Sequence, residues 1–296
     1  MVHSDGPIRA TSTGPRDPAE GDRGAPSNLY EEPSLQNPVI QEWTTATAST
    51  NDRLVEMLEA GADLPDFAVV GTDHQTAGRG RLDRVWTVPP GRALTFSVPV
   101  RVPSGTPADA LGWLPVVTGV AVRAALAEAG VTAQLKWPND VLVGGRKLAG
   151  LLGEVSGARD CRTLLVGMGV NWMNPVRNSA AIGGYAATSV AEHAPGVTLD
   201  DRLSFMREWL AGLAADQQRM MTAPDTTLQA MREEAEALLW RRGQVVEMLH
   251  TEQGSVRGRL EGLGVWGTAL VREGETVREV SCGWQAFDEG IVGTAG

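Results

Sequence analysis

Residues 131–152 read Val131-Thr132-Ala133-Gln134-Leu135-Lys136-Trp137-Pro138-Asn139-Asp140-Val141-Leu142-Val143-Gly144-Gly145-Arg146-Lys147-Leu148-Ala149-Gly150-Leu151-Leu152. Val131, Ala133 and Leu135 alternate with Thr132, Gln134 and Lys136, the period of a half-buried strand. Trp137-Pro138 ends it, because proline has no N–H for the ladder and biases its predecessor toward extended geometry. Val141–Val143, the glycine pair and Arg146–Leu152 predict a β-hairpin with a two-residue turn, Val143 facing Arg146 and Leu142 facing Lys147. Asn139 and Asp140 then sit at a strand end, where polar groups can face a cleft. An ordinary turn pair beside a core tryptophan would read the same way.

The same unit holds every lysine of the chain. Of 296 residues, 26 are Lys or Arg and 36 Asp or Glu, for a net charge of −10, and only Lys136 and Lys147 of the 26 are lysines. Lysine is a compact point charge whose pKa can be tuned, whereas the guanidinium is a planar fork that stays protonated. Two lysines on adjoining strands weaken the purely structural reading.

Upstream, Thr50-Asn51-Asp52 offers N-cap chemistry ahead of Leu54, Val55 and Leu58 on one helical face, with Gly61 as a stop. Phe67–Val70 reads as a buried strand, Gly71–Arg84 as a polar loop, Leu94–Val100 as a strand, and Ala108–Ala129 as an apolar helix ended by Gly130. Downstream, Thr163–Val170 is a strand and residues 201–221 and 226–240 are helices. From Arg241, glycine recurs among short strand-like runs such as Gln244–Leu249 and Glu275–Val280, which predicts a small all-β barrel. Residues 1–38 hold six prolines and almost no aliphatic periodicity, so they read as a disordered tail. The expected organisation is a tail over 1–38, an α+β domain with a mixed sheet over 39–240 and a β-barrel over 241–296.

Composition removes several classes. With 42% hydrophobic and 21% charged residues the chain can bury a core. The acidic balance argues against a general nucleic-acid or membrane-surface binder. No window approaches the roughly 18 apolar residues of a membrane helix, and the N-terminus has no signal-peptide core. Cys161 and Cys282 have no metal-ligand spacing, and four scattered histidines add no zinc site. A soluble cytoplasmic protein is expected.

Three further segments carry polar chemistry. Gly78-Arg79-Gly80-Arg81-Leu82-Asp83-Arg84 sets three arginines among glycines, which suits either an anion-binding loop or a solvated surface loop. Gly167-Met168-Gly169-Val170-Asn171-Trp172 ends a strand in small residues and an amide. Ser49-Thr50-Asn51 opens a helix, as caps or as grips for a polar head group.

Together with Gln75, these motifs occur in the order seen in biotin protein ligases, and the sequence resembles that family over roughly residues 40–290. The resemblance implies a class II synthetase-like catalytic domain of the biotin/lipoate ligase type, followed by a small SH3-like barrel. It implies an enzyme that uses ATP and Mg2+ to convert biotin to biotinyl-5′-adenylate and passes it to a lysine of a biotin carboxyl carrier domain. On that resemblance Lys147 and Arg81 are catalytic. Ser49, Thr50, Asn51, Gln75, Arg79, Gly80, Arg81 and Lys147 bind biotin. Arg79, Arg81, Arg84, Trp86, Lys136, Asn139, Asp140 and Asn171 line the nucleotide, with Asp140 offering a carboxylate to magnesium. The arginine loop would cover the reactive anhydride until the carrier arrives.

One departure is visible: the family loop has a glycine where this chain has Asp83, whose charge offsets one arginine. The residues before the ligase region are too few and too poorly patterned for a winged helix-turn-helix, so a ligase without DNA binding is expected. A lipoate ligase-like enzyme and a non-catalytic biotin sensor are the alternatives. Lipoate ligases lack this arginine loop and Lys-Trp-Pro-Asn-Asp, and a sensor has no need of phosphate chemistry.

Overall fold

β1 (Ile40–Thr44), β2 (Val69–Thr72), β3 (Ala93–Arg101), β4 (Gln134–Lys136), β5 (Asp140–Val143), β6 (Arg146–Ser156) and β7 (Thr163–Asn171) form one mixed sheet in the order β1-β2-β3-β7-β6-β5-β4. Only β1 and β2 run parallel; every other neighbouring pair is antiparallel. The computed structural model describes residues 39–81, 84–102, 112–157, 163–173, 186–222, 224–250, 254–281 and 284–285. The tail expected over 1–38, both cysteines and Asp83 lie outside the described residues.

Strand alternation gives the sheet two unlike faces. On one face Phe96, Val98, Val141, Ala149, Leu151, Val166, Met168 and Val170 are buried in the main core. Helices α2 (Leu114–Glu128), α4 (Asp201–Thr222) and α5 (Pro224–Leu238) cover this face, and a short α3 (Val190–His193) lies between β7 and α4 in the chain. Trp209 of α4 packs edge-on to Phe96 at 5.2 Å, and Phe205 to Trp172 at 5.4 Å. Each fully buried side chain of this size contributes about 1.5–3 kcal/mol of transfer free energy.

The other face is polar and small-residued. Register aligns Thr44, Thr72, Thr95, Gly169, Gly150, Asp140 and Lys136 in one row across all seven strands. Helix α1 (Thr50–Glu59) covers only one end of this face, through a small core of Leu54, Leu64, Ala68, Val70 and Leu165. Of the predicted site residues, Lys136, Asp140 and Asn171 fall on the uncovered remainder, and Thr50 and Asn51 on α1 at its border.

The second sheet is antiparallel, in the order β11-β10-β9-β8-β12, from β8 (Val245–His250), β9 (Gly254–Leu263), β10 (Ala269–Glu273), β11 (Thr276–Val280) and β12 (Trp284–Gln285). It is consistent with an SH3-like domain. Its β9–β10 turn docks beside the seven-stranded sheet: Trp113 Nε1 donates to the Val265 carbonyl at 2.5 Å and Trp137 Nε1 to the Gly267 carbonyl at 2.9 Å. Gly267 has φ +71°, and a Cβ there would meet the Gly112 carbonyl oxygen at 2.9 Å.

Several boundaries differ from expectation. The strand expected over Phe67–Val70 is Val69–Thr72, because Phe67 adopts φ +64° and cannot continue a strand. Only Gln134–Lys136 of the run from Val131 pairs in the sheet. The described part of α2 starts at Leu114, and residues 103–111 lie outside the described residues. Ser49, extended at φ −153°, is the N-cap of α1, so Thr50 and Asn51 are its first helical residues.

Candidate active site

The site is built around the β5–β6 hairpin. Gly144 and Gly145 take φ +55° and +74°, the left-handed pair a two-residue turn needs. The register is the expected one: Leu142 opposes Lys147, and Val143 opposes Arg146. A bulge follows, since Val141 opposes Ala149 and leaves Leu148 without a partner on β5. The extra residue shifts the alternation by one, as bulges beside functional sites do. Lys147 is thereby brought onto the polar face and lies over Gly150, where a Cβ would be 3.2 Å from its Nζ.

Lys147 Nζ pairs with Asp140 Oδ1 at 2.7 Å and stands 5.5 Å from the centroid of the Trp86 ring. Its backbone is held on both sides. Its N–H donates to the Ala186 carbonyl, its carbonyl accepts from the Thr188 N–H, each at 2.9 Å, and Asn171 Nδ2 donates to that carbonyl at 3.3 Å. Lys136 lies in the same row and is 2% exposed. Burial pushes its ammonium down to about 7; Asp140 opposes the shift, and the charges of Lys147 and Arg84 add to it. Lys136 thus feels two further cations, Lys147 and Arg84, against one carboxylate, an arrangement that an entering polyanion relieves.

Toward α1 the chemistry is that of amides and hydroxyls, with one carboxylate, Glu154, at its edge. Gln75 Oε1 accepts from the Thr50 N–H at 2.8 Å and the Thr50 hydroxyl at 3.2 Å. The Thr50 and Ser97 hydroxyls are 2.6 Å apart, and Ser97 donates to Asn51 Oδ1 at 2.6 Å. Asn51 Nδ2 donates to Glu154 Oε2, also at 2.6 Å. Gly167 seats Asn51 and Gly169 seats Trp86: a Cβ would come within 2.5 Å of Asn51 Oδ1 and 2.7 Å of the indole. The two glycines leave the room in which these side chains lie flat on the sheet.

The arginine loop folds back on itself. The Gly80 N–H donates to the Arg84 carbonyl at 2.6 Å, and the Trp86 N–H to the Gly78 carbonyl at 2.8 Å. Arg79 reaches out of it to Glu154 and Asp52.

Two expected residues are occupied within the fold. The Ser49 hydroxyl caps α1 by accepting from the Asp52 N–H at 3.4 Å. Asn139 Nδ2 donates to the Leu151 carbonyl at 2.6 Å, and its own carbonyl takes the Leu151 N–H at 3.0 Å. Ser97 and Glu154 were not singled out by motif, and Asp52 only as cap chemistry. Glu154 shares a face with Gly150 and Leu152 by strand alternation, and that was its available signal. Among the described residues no group of three His, Cys, Asp or Glu could hold a metal.

The seven-stranded sheet has the biotin ligase catalytic fold, and residues 43–171 match the Biotin/lipoate A/B protein ligase family. Within that class, the similarity runs to the biotin protein ligases. The chain is 44% identical over 114 residues to the biotin--[acetyl-CoA-carboxylase] ligase of Mycobacterium tuberculosis, covering 37% of this chain and 42% of that protein. It is 39% identical over 128 residues to the ligase of the same description from Paracoccus denitrificans, covering 42% and 52%. The matches thus span about half or less of these relatives' length. In structure, the biotin protein ligase of Aquifex aeolicus in complex with biotin and ATP superposes with a TM-score of 0.66 at 28% identity. That superposition covers 82% of this chain and 96% of the other.

Proposed function

We propose that the protein is an ATP-dependent biotin ligase, which activates biotin as biotinyl-5′-adenylate and transfers it to a lysine of a biotin carboxyl carrier domain. Residues 39–240 form its catalytic domain and the chain from 241 its SH3-like domain. The observation that carries the reading is the position of Lys147. It stands on the polar face between the uncharged Thr50–Gln75–Ser97–Asn51 cluster and the cationic end that holds Lys136 and Arg84.

In the first step a biotin carboxylate oxygen attacks the α-phosphorus of ATP, and the bond to pyrophosphate breaks. Two anions must meet, so fixed cations at the meeting point lower the barrier. Lys147 fills that role, its slim ammonium lying between carboxylate and phosphate where a guanidinium would crowd them. Lys136, Arg84, Trp86 and Asn171 line the nucleotide, and Arg81 covers the anhydride. Thr50, Asn51, Gln75 and the Gly80 backbone take the biotin ring and its neighbouring atoms. Ser49 and Asn139 support the site by capping α1 and by holding β6. Magnesium would come with the nucleotide, and Asp140 would offer it a carboxylate, since this cation uses one or two carboxylates beside substrate phosphates. In the second step the carrier amine attacks the acyl carbon, AMP leaves and the nitrogen loses a proton. We place this activity in the cytoplasm, where ATP and newly made carboxylase are together.

Pyrophosphate exchange tests the reading. Biotin should support exchange of labelled pyrophosphate into ATP, lipoate should not, and addition of an apo carrier domain should yield biotinylated carrier. Exchange with lipoate in place of biotin would assign the enzyme to the lipoate branch, and biotin binding without exchange would make it a sensor.

A further inference from the structure

The turn end of β6 has a different neighbour from the rest of the strand. β7 accompanies β6 from the Ser156–Thr163 pair to the Ala149–Val170 pair. It then turns away, and the Trp172 N–H donates to the Arg92 carbonyl at 3.0 Å. Residues 186–188 take its place, with Ala187 pairing in parallel with Lys147, and both backbone groups of Lys147 bond to this segment. Side chains anchor the segment in turn. Arg146 Nη1 donates to Glu192 Oε2 of α3 at 2.7 Å. The Thr188 hydroxyl, fully buried, is hydrogen-bonded to the Glu192 carboxylate and, at 2.7 Å, to His193 Nε2. Burial pushes the Glu192 carboxyl up, but the Arg146 guanidinium and the Thr188 hydroxyl bring it below its usual range. The Ala191 N–H donates to the Trp172 carbonyl at 3.0 Å, which ties α3 to the end of β7.

We propose that Thr188 and Glu192 are positioning residues for the adenylation step: together with Arg146 they brace the β5–β6 hairpin and fix the point at which Lys147 presents its ammonium. The hairpin needs a brace there, because the bulge at Leu148 interrupts its ladder next to Lys147. Arg146 lies on the opposite face from Lys147 by strand alternation, and Glu192 matches its charge, so it serves as a tether and not as a further cation for the ligands. A half-exposed ion pair alone contributes little. This one shares its carboxylate with a buried hydroxyl and flanks the two backbone hydrogen bonds of the residue it steadies. Placement matters to the chemistry, since a shift of about 1 Å in a reacting group can cost about 100-fold in rate. The consequence for turnover rests on the biotin ligase reading; the brace itself does not.

The test uses the whole chain labelled with [15N]lysine, whose backbone amide spectrum holds two lysine signals, Lys136 and Lys147. K147R, which keeps one of them, assigns the pair. In E192Q and in T188V, hydrogen exchange of the Lys147 amide should quicken by about tenfold, the effect of one lost hydrogen bond to a charged group, while the Lys136 amide keeps its wild-type rate. The same variants should lose about tenfold in kcat for biotin-dependent pyrophosphate exchange, with both KM values held within about twofold. The double variant should lose no more than either single one, because both cut the same brace. R146E/E192R, which restores the pair with its charges exchanged, should recover the activity that R146E alone loses. An unchanged Lys147 amide in both E192Q and T188V would overturn the brace. So would equal quickening of both lysine amides, which makes these residues part of the general fold, or a raised KM for ATP at constant kcat, which makes them nucleotide contacts. If the wild-type protein shows no biotin-dependent exchange, the ligase reading fails, and the Lys147 amide still decides the brace.

Discussion

Lys147 and Lys136 share one chemistry and two environments. Lys147 keeps a carboxylate at 2.7 Å and some contact with solvent, whereas Lys136 is almost wholly enclosed. Replacing Lys147 by arginine keeps the charge and removes the fit. Pyrophosphate exchange in K147R should fall by about 100-fold, the loss typical when one preorganised transition-state donor is removed. Exchange within twofold of wild type would take Lys147 out of the reaction centre. For Lys136, burial holds the folded-state pKa near 7, against an ordinary 10.5. Below pH 7 both folded and unfolded chains carry this proton, and the burial penalty is present in full. Between about 7 and 10.5 only the unfolded chain carries it, so stability should rise with pH, by up to about 1.4 kcal/mol per unit. Urea denaturation of K136M between pH 7 and 9 should lack that rise. An incoming polyphosphate favours the charged amine, so nucleotide binding at pH 8 should take up about one proton. Calorimetry in two buffers of different ionisation enthalpy measures that uptake directly.

Among the elements, β7 shows how a motif becomes a surface. Gly167 and Gly169 alternate onto the polar face, each beneath a different side chain, Asn51 and Trp86. G167A should therefore raise the KM for biotin, and G169A the KM for ATP, with little crossover. Steady-state kinetics with each substrate varied in turn separates them, and equal effects on both substrates would mean that the strand merely distorts. The hairpin Val141–Leu152 was legible in the sequence because its turn and its alternation are local signals. The bulge at Leu148 was not, since nothing in the run Arg146-Lys147-Leu148-Ala149 marks which residue goes unpaired. For the same reason, the link from Glu154 through Asn51 to Ser97 was hidden. Its members are 103 and 46 residues apart, and only the folded sheet joins them. The cap of α1 stayed open in the sequence because Ser49, Thr50 and Asn51 all have cap chemistry, and packing on Ser97 and Gln75 decides which of them turns inward.

At the scale of the whole molecule, the two sheets meet behind the Lys136 end of the site. Trp137 is next to Lys136 in sequence, and its indole N–H satisfies the Gly267 carbonyl in the β9–β10 turn. W137F leaves that buried carbonyl without its donor, a loss of about 1–3 kcal/mol. Denaturation should show the destabilisation, and the affinity for ATP should fall while that for biotin holds. Unchanged ATP affinity in a destabilised W137F would mean that the second sheet supports the fold alone.

The concentration of all lysine at one spot gives the molecule an unusual chemical outline. Acylating reagents find arginine, which they leave untouched, across the exterior; the ε-amines they could modify are Lys136, sealed in, and Lys147, 22% exposed at its side chain. Apart from the chain's α-amino group, a succinimidyl ester is left with one accessible target, inside the site. The yield of label on Lys147 is therefore a footprint of occupancy, and a saturating ligand should suppress it without any mutation or fused reporter.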